Sequence, residues 1–330
     1  MTTQAWQCHT LDGPDALRWE TLPTPQPGPG EVRIAVRCAS LNFPDLLVVQ
    51  GKYQFKPPLP FAPGAEFSGI VEAVGDGVTH LSAGDAVAAI GSHGGFATHA
   101  CVRADHVIPL PPGMRFEDGA AFAFTYGTVQ HGLMDRGALR AGETVLVLGA
   151  SGGVGSAAVQ VAKRAGARVL ATASTPAKAA FCKSLGADEV IDLSQTALRD
   201  GLKASTDGRG VDVVLDPVGG DLAEPAFRAM AWRGRYLVVG FAAGGIPALP
   251  WNLPLLKGAS IIGVFWGEFV RRERKAFAAD LQSLAAGYAD GALRPAIDSV
   301  LPMQELPAAF NRLSSREVMG KLVLRNETPA

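Results

Sequence analysis

Cysteine is scarce and scattered: Cys8, Cys38, Cys101 and Cys182 are the only four in 330 residues, and no C-x-x-C pair occurs. Without a secretory leader, a chain of this size is not held by a disulfide framework, and reduced thiols are expected. Cys38 lies in an apolar strand pattern and reads as a small buried hydrophobe. Excess charge of either sign is missing too. Lys and Arg number 30 against 31 Asp and Glu, a formal net charge of −1, which argues against nucleic acid or an anionic membrane as the main partner. No apolar run reaches the length of a membrane span. Residues 1–20, with Asp12, Asp15, Arg18 and Glu20, lack the basic and apolar regions of a signal peptide. Internal repeats and low-complexity tracts are absent. A cytoplasmic protein is expected.

What is present is a globular composition, 48% hydrophobic and 18% charged, in a chain long enough for two domains with separate cores. The stretch around which the chain is organised is Thr144–Gly155, Thr-Val-Leu-Val-Leu-Gly-Ala-Ser-Gly-Gly-Val-Gly. A continuous apolar run over 145–149 predicts a buried parallel strand, and Val154–Ala165 predicts a helix. Between them, Gly152 and Gly155 leave no side chain where a backbone approaches a pyrophosphate and where helix packs on strand. Ala150 stands where the usual first glycine would be, so the fingerprint is A-x-G-x-x-G. Ala150, Ser151, Gly152, Gly153, Val154 and Gly155 are therefore candidate cofactor-binding residues, with the helix start holding the phosphate charge.

Before this stretch, a Pro/Gly-rich link over residues 21–31 separates two strand patterns. Glu31–Arg37 alternates polar and apolar, and further strands are expected over Gly69–Gly75 and Asp85–Ile90, which suggests a mainly β, barrel-like domain over about the first 120 residues. From Gly142 the rhythm becomes strand, helix, strand. Strands are expected at Arg168–Thr172, Glu189–Asp192, Val211–Asp216 and Arg235–Gly240, with helices at Pro176–Leu185 and Leu222–Met230. This alternation predicts a doubly wound parallel sheet. Ser260–Phe265 is expected as its edge strand and Arg271–Ala289 as an amphipathic helix, and 300–324 as a short helix with two strands returning to the first domain. The edge strand carries neither charge nor proline, so pairing with its copy in a homodimer is expected.

Several pieces together resemble a known family: the strand–Gly-Ala-Ser-Gly-Gly-Val-Gly–helix unit, Leu41-Asn42-Phe43-Pro44-Asp45, Gly51-Lys52-Tyr53, Pro63-Gly64-Ala65-Glu66-Phe67-Ser68-Gly69, Asp216-Pro217-Val218-Gly219-Gly220 and Val264-Phe265-Trp266-Gly267. They are similar to the zinc-independent medium-chain dehydrogenase/reductases, and within them to the NADPH:quinone oxidoreductase branch. The resemblance spans nearly the whole chain. It implies an α/β protein with a GroES-like, β-rich catalytic domain over 1–124, a Rossmann domain with a doubly wound parallel sheet over 125–264, and a segment, 265–330, returning to the catalytic domain. It also places the cofactor in the cleft between the domains.

Zinc-dependent relatives use a cysteine and a Gly-His-Glu motif, and at those positions this chain has Asn42 and Ala65. The lobe for a structural zinc is missing, its place crossed by Ile90-Gly91-Ser92-His93-Gly94-Gly95. His93, His99 and Cys101 match no zinc pattern with a second ligand pair. No metal is expected. Without a Lewis acid, alcohol oxidation loses its main stabiliser. A quinone or enone instead spreads the developing charge through its π system, and hydrogen-bond donors suffice for the rest.

After the second Rossmann strand, where a carboxylate would bind a ribose 2′-hydroxyl, stands Ala173-Ser174-Thr175-Pro176-Ala177-Lys178. The resemblance matches Lys178 to the lysine that meets the 2′-phosphate and Arg316 to an arginine that joins it; with Ser174 in place of an acid, NADPH is expected. A tyrosine frequent in the next strand is Leu193, and another, two residues past the aspartate, is Leu47. The resemblance carries Asn42, Asp45, Tyr53 and Thr128 over as the catalytic set, Thr128 as the threonine that opens the linking helix. Gly240, Phe241 and Asn252 are candidates for the carboxamide end of the cofactor. Asn42 can equally cap its turn, Thr128 bond its own helix, and Tyr53 be a boundary aromatic. Quinone reduction is the leading reading. Enoyl-thioester reduction competes through Gln50-Gly51-Lys52-Tyr53, and a non-catalytic, crystallin-like NADPH binder is the third.

Overall fold

The computed structural model describes residues 2–327. The chain divides into two units, one of residues up to Phe124 together with those from Ile297 onward, the other Thr125–Ala296. The outermost residues of the expected terminal segments, 1 and 328–330, lie outside the described residues.

In the first unit, β1 (Thr2–Gln7) and β2 (Arg18–Pro23) pair as an antiparallel ribbon. The alternation of Glu31–Arg37 appears as β3 (Glu31–Ser40), whose even-numbered residues Val32, Ile34 and Val36 are buried. Strands β4 (Glu66–Val74), β5 (Ala86–Ile90), β6 (His99–Arg103) and β7 (Val107–Pro109) extend the sheet. Its core gathers Ile34, Phe67, Val71, Phe96 and Phe310.

The second unit contains six parallel strands: β8 (Thr144–Val147), β9 (Arg168–Ala173), β10 (Glu189–Asp192), β11 (Val211–Asp216), β12 (Met230–Val238) and β13 (Ser260–Gly263). Their order, β10-β9-β8-β11-β12-β13, is that of a doubly wound dinucleotide-binding sheet, and the strand order reverses between β8 and β11. Val145, Leu146, Val147, Val213, Val214 and Leu215 have no exposed surface, because helices cover both faces of such a sheet. Each fully buried aliphatic side chain contributes about 1.5–3 kcal/mol.

Two expectations are corrected. Residues 265–296, assigned from sequence to the returning segment, lie in the second unit. They form helices Trp266–Arg272 and Arg274–Ala289, separated at Glu273, in place of one helix over Arg271–Ala289. Arg164 and Gln160, on helix Gly153–Arg164, hold this stretch by bonds to Ser283, Asp290 and Arg294. The chain rejoins the first unit only at β14 (Ile297–Pro302), which pairs parallel with β15 (Lys321–Arg325), itself antiparallel to β3.

Candidate active site

The sequence Asn42-Phe43-Pro44-Asp45 starts helix Phe43–Val49. Asp45 returns to the start of its own helix, accepting the Asn42 backbone N–H at 2.8 Å, and its other oxygen accepts the Ala65 N–H at 3.1 Å. The Asn42 side chain points elsewhere. Its Nδ2 donates to Glu66 Oε2 at 3.2 Å, and its Oδ1 accepts from Lys321 Nζ at 2.5 Å. Ser40 Oγ also donates to Glu66 Oε2 at 2.7 Å, and the Phe124 N–H donates to Oε1 at 2.8 Å. Asn42, Asp45, Glu66 and Lys321 are all buried. Such charges persist in an interior only when paired and hydrogen-bonded.

Burial pushes the Asp45 carboxyl up to about 7, against the pull of the Asn42 and Ala65 backbone donors and the Lys321 charge. Burial pulls the Lys321 ammonium down, while Glu66 and Asp45 oppose it. Tyr53, partly buried against the same core, has its phenol raised by burial and then by the Asp45 charge. It therefore keeps its proton at neutral pH. The structure thus brings Asn42, Asp45 and Tyr53 into one electrostatic neighbourhood. Glu66 and Lys321, which complete it, were missed by the sequence reading. Each is the charged first residue of a strand, directly followed by an apolar residue, Glu66 in β4 and Lys321 in β15.

Thr128 lies in the second unit, buried within helix Ala123–Gln130 and not at the helix start as expected. Arg316 is an exposed residue of the first unit with φ 60°, just past helix Leu306–Ser314. Ser174 is exposed after β9, and Lys178 sits in the first turn of helix Pro176–Ser184, its backbone N–H capped by Thr175 Oγ1 at 3.3 Å.

The glycine turn explains its own departures from the usual fingerprint. The positive φ of the turn falls at Gly149 (59°), so Ala150 needs no glycine. A Cβ on Gly155 would stand 2.2 Å from the Gly149 carbonyl oxygen, so Gly155 is required by helix–strand contact. Gly152 is different: its φ of −83° suits any residue, and a Cβ there would meet nothing closer than that oxygen at 3.5 Å. Gly240 is equally open, with the Pro217 oxygen at 3.5 Å. No neighbour inside the unit demands glycine at either place, which fits room kept for a ligand backbone. The N–H groups of Gly153, Val154 and Gly155 have no acceptor within their helix and present its positive end. Thr172, also missed, ties the turn to β9: its Oγ1 accepts the Gly149 N–H at 3.1 Å. Phe241 and Gly240 belong to a loop zipped to 216–220, whereas Asn252 opens helix Asn252–Lys257 in an exposed apolar stretch beside Trp251 and Leu255.

These features have counterparts among known proteins. Residues 28–112 match the sequence profile of the alcohol dehydrogenase GroES-like domain, and residues 153–285 that of the zinc-binding dehydrogenase domain. A quinone oxidoreductase-like protein 2 homolog of Nematostella vectensis is 35% identical over 98% of this chain and 89% of its own. The quinone oxidoreductase of Pseudomonas syringae pv. Tomato superposes with a TM-score of 0.91 at 31% identity, covering 98% of this chain and 99% of that one. The Escherichia coli quinone oxidoreductase, solved in complex with NADPH, gives 0.89 at 27% identity over the same shares.

Proposed function

The chain belongs to the quinone oxidoreductase branch of the medium-chain dehydrogenase/reductase superfamily, and from that membership we propose that it reduces quinones or similar conjugated carbonyls with NADPH, by hydride transfer and without a metal. The observation that carries the reading is the glycine turn at the β8–β11 switch point, open at Gly152, together with Gly240 after β12, two places where none of the described residues requires glycine. Bound NADPH supplies the hydride. The helix start at Gly153–Gly155 would hold its pyrophosphate, and Ser174 with Lys178 would favour the 2′-phosphate over a free hydroxyl, a role the family resemblance also assigns to Arg316.

At the acceptor, the Tyr53 hydroxyl donates to the oxygen that gains charge. Asp45 and Asn42 fix the helix from which the Gly51–Tyr53 turn follows. Metal independence is supported by chemistry already in place: Asn42 spends its amide on Glu66 and Lys321, and Ala65 offers no ligand atom. A homodimer through β13 is supported by its terminal place in the sheet and by the exposed Trp232, Ile246, Trp251, Leu255, Leu256 and Phe265 of the same unit. Four unpaired cysteines suit the reducing cytoplasm. A second reading, enoyl-thioester reduction, is favoured by the same protonated Tyr53. Rapid-mixing measurement of NADPH consumption against quinones, enones and enoyl-CoAs tests both; no turnover with any acceptor leaves the non-catalytic binder.

A further inference from the structure

At the carboxyl end of β11, Asp216 is almost fully buried and both its carboxylate oxygens are hydrogen-bonded. Its Oδ1 accepts the N–H groups of Val218 and Gly219, each at 2.8 Å, and its Oδ2 accepts the Tyr236 hydroxyl at 2.6 Å. Tyr236 comes from the adjacent strand β12, where it pairs with Val214, and its ring packs on Phe227 at 5.7 Å. Both burial and the Asp216 charge raise its phenol, so it remains a donor.

The turn that Asp216 shapes is attached on two sides. Its carbonyl oxygen accepts the Val239 and Gly240 N–H groups, and Pro217 and Val218 carbonyls accept those of Ala242 and Ala243, which fastens the 239–245 loop. On the other side Val218 Cγ2 lies 2.7 Å from where a Cβ on Gly149 would stand, so the turn is packed directly on the glycine turn. The backbones are adjacent as well, since Leu148 N–H donates to the Leu215 carbonyl at 3.1 Å.

We propose that Tyr236 is a positioning residue for the dinucleotide: through Asp216 it sets the 216–220 turn, and through that turn the spacing between the glycine turn and the 239–245 loop. This rests on the reading that NADPH binds at the glycine turn. Tyr236 itself touches no ligand. Removing its hydroxyl leaves Asp216 Oδ2 buried without a donor, and the carboxylate relieves this by turning toward water and releasing the two backbone N–H groups.

Tyr236→Phe tests this against Thr206→Val, which removes a hydroxyl at the opposite end of β11, where Thr206 Oγ1 joins Leu202 and Gly210. NADPH affinity is measured by fluorescence titration, and amide exchange at Val218 and Gly219 is followed without cofactor. The expected result is an NADPH Kd raised about tenfold in Tyr236→Phe, with faster exchange at those two amides. Thr206→Val is expected to lose comparable thermal stability and to keep the wild-type Kd. Equal affinity in Tyr236→Phe and wild type overturns the inference alone, as does equal weakening in both variants. Wild-type protein that binds no NADPH overturns the functional reading and this inference with it.

Discussion

Lys321 donates through its ammonium to the side-chain oxygen of Asn42 at 2.5 Å, joining the last strand of the chain to a residue 279 positions earlier. The same ammonium reaches Glu66 Oε2 at 3.4 Å and the Leu41 carbonyl at 3.2 Å. The amide of Asn42 is therefore fixed at both ends before any ligand arrives. That amide is engaged with Glu66 and Lys321, while the Asn42 backbone N–H binds Asp45 at the helix start.

Replacing Lys321 with Met leaves Glu66 buried without its cation. The expected loss is about 3–5 kcal/mol of unfolding free energy by urea titration. In the double variant with Glu66→Gln, much of that loss should return. A Lys321→Met protein as stable as wild type would show that Glu66 finds its charge compensation elsewhere.

Asp45 makes the stability of the first unit depend on pH in an unusual direction. Its folded value of about 7 lies above its ordinary 3.8. Between those values the folded chain holds a proton that the unfolded chain has released, so raising the pH favours unfolding. Relative to Asp45→Asn, wild type should lose up to about 1.4 kcal/mol per pH unit across this window. Urea unfolding of both proteins over a pH series gives the difference directly; a difference independent of pH rules out a raised Asp45.

The Rossmann unit was legible because its signals are local. Val145–Val147 is an unbroken apolar run, and Gly152 and Gly155 follow at fixed offsets. The glycine that carries the positive φ, Gly149, stood one place before the expected position, which is why Ala150 looked like a defect. Lys321–Asn42–Glu66 and Tyr236–Asp216 were not legible, because each depends on strands that only folding brings together. The break at Glu273 has no proline or glycine to announce it. Nor does the pattern of the 274–289 helix say which unit it packs on; Arg164 and Gln160 decide that.

Gly152 and Gly155 separate fold from ligand. Gly152→Ala should change unfolding free energy by about 1 kcal/mol or less, since its Cβ meets no close neighbour. It should nevertheless weaken NADPH binding by about tenfold or more, because the Cβ occupies the pyrophosphate's approach. Gly155→Ala forces a contact at 2.2 Å with the Gly149 oxygen and should cost about 3 kcal/mol or more in stability. Fluorescence titration and thermal melts of the two variants report both effects. Unchanged NADPH affinity in Gly152→Ala would remove the turn from the cofactor site.

One edge of the six-stranded sheet is β10; the other is β13, with Ile261 exposed on it. A dimer built by pairing this edge with its copy should dissociate in Ile261→Lys, since a charge on an edge strand opposes pairing. Light scattering at micromolar concentration should show wild type at twice the mass of the variant. Wild type at monomer mass would count against the dimer.

Tyr53 sorts the substrates. Its hydroxyl is held above an ordinary phenol by burial and by Asp45, so at neutral pH it is a donor and not a base. With a quinone, the charge gained rests on oxygen, which water can protonate, and the hydroxyl serves as one hydrogen-bond donor. Tyr53→Phe should then lower the rate by about tenfold or less. With an enoyl thioester, a carbon must be protonated in place, so a positioned proton enters the chemical step. The same substitution should then cost about a hundredfold or more. Comparing kcat/KM of both proteins on a quinone and on an enoyl-CoA distinguishes the two readings. Fast wild-type turnover of quinones with a small Tyr53→Phe effect upholds quinone reduction. Fast turnover of the thioester with a large effect replaces it with enoyl-thioester reduction, and Tyr53 becomes the proton donor of that reaction.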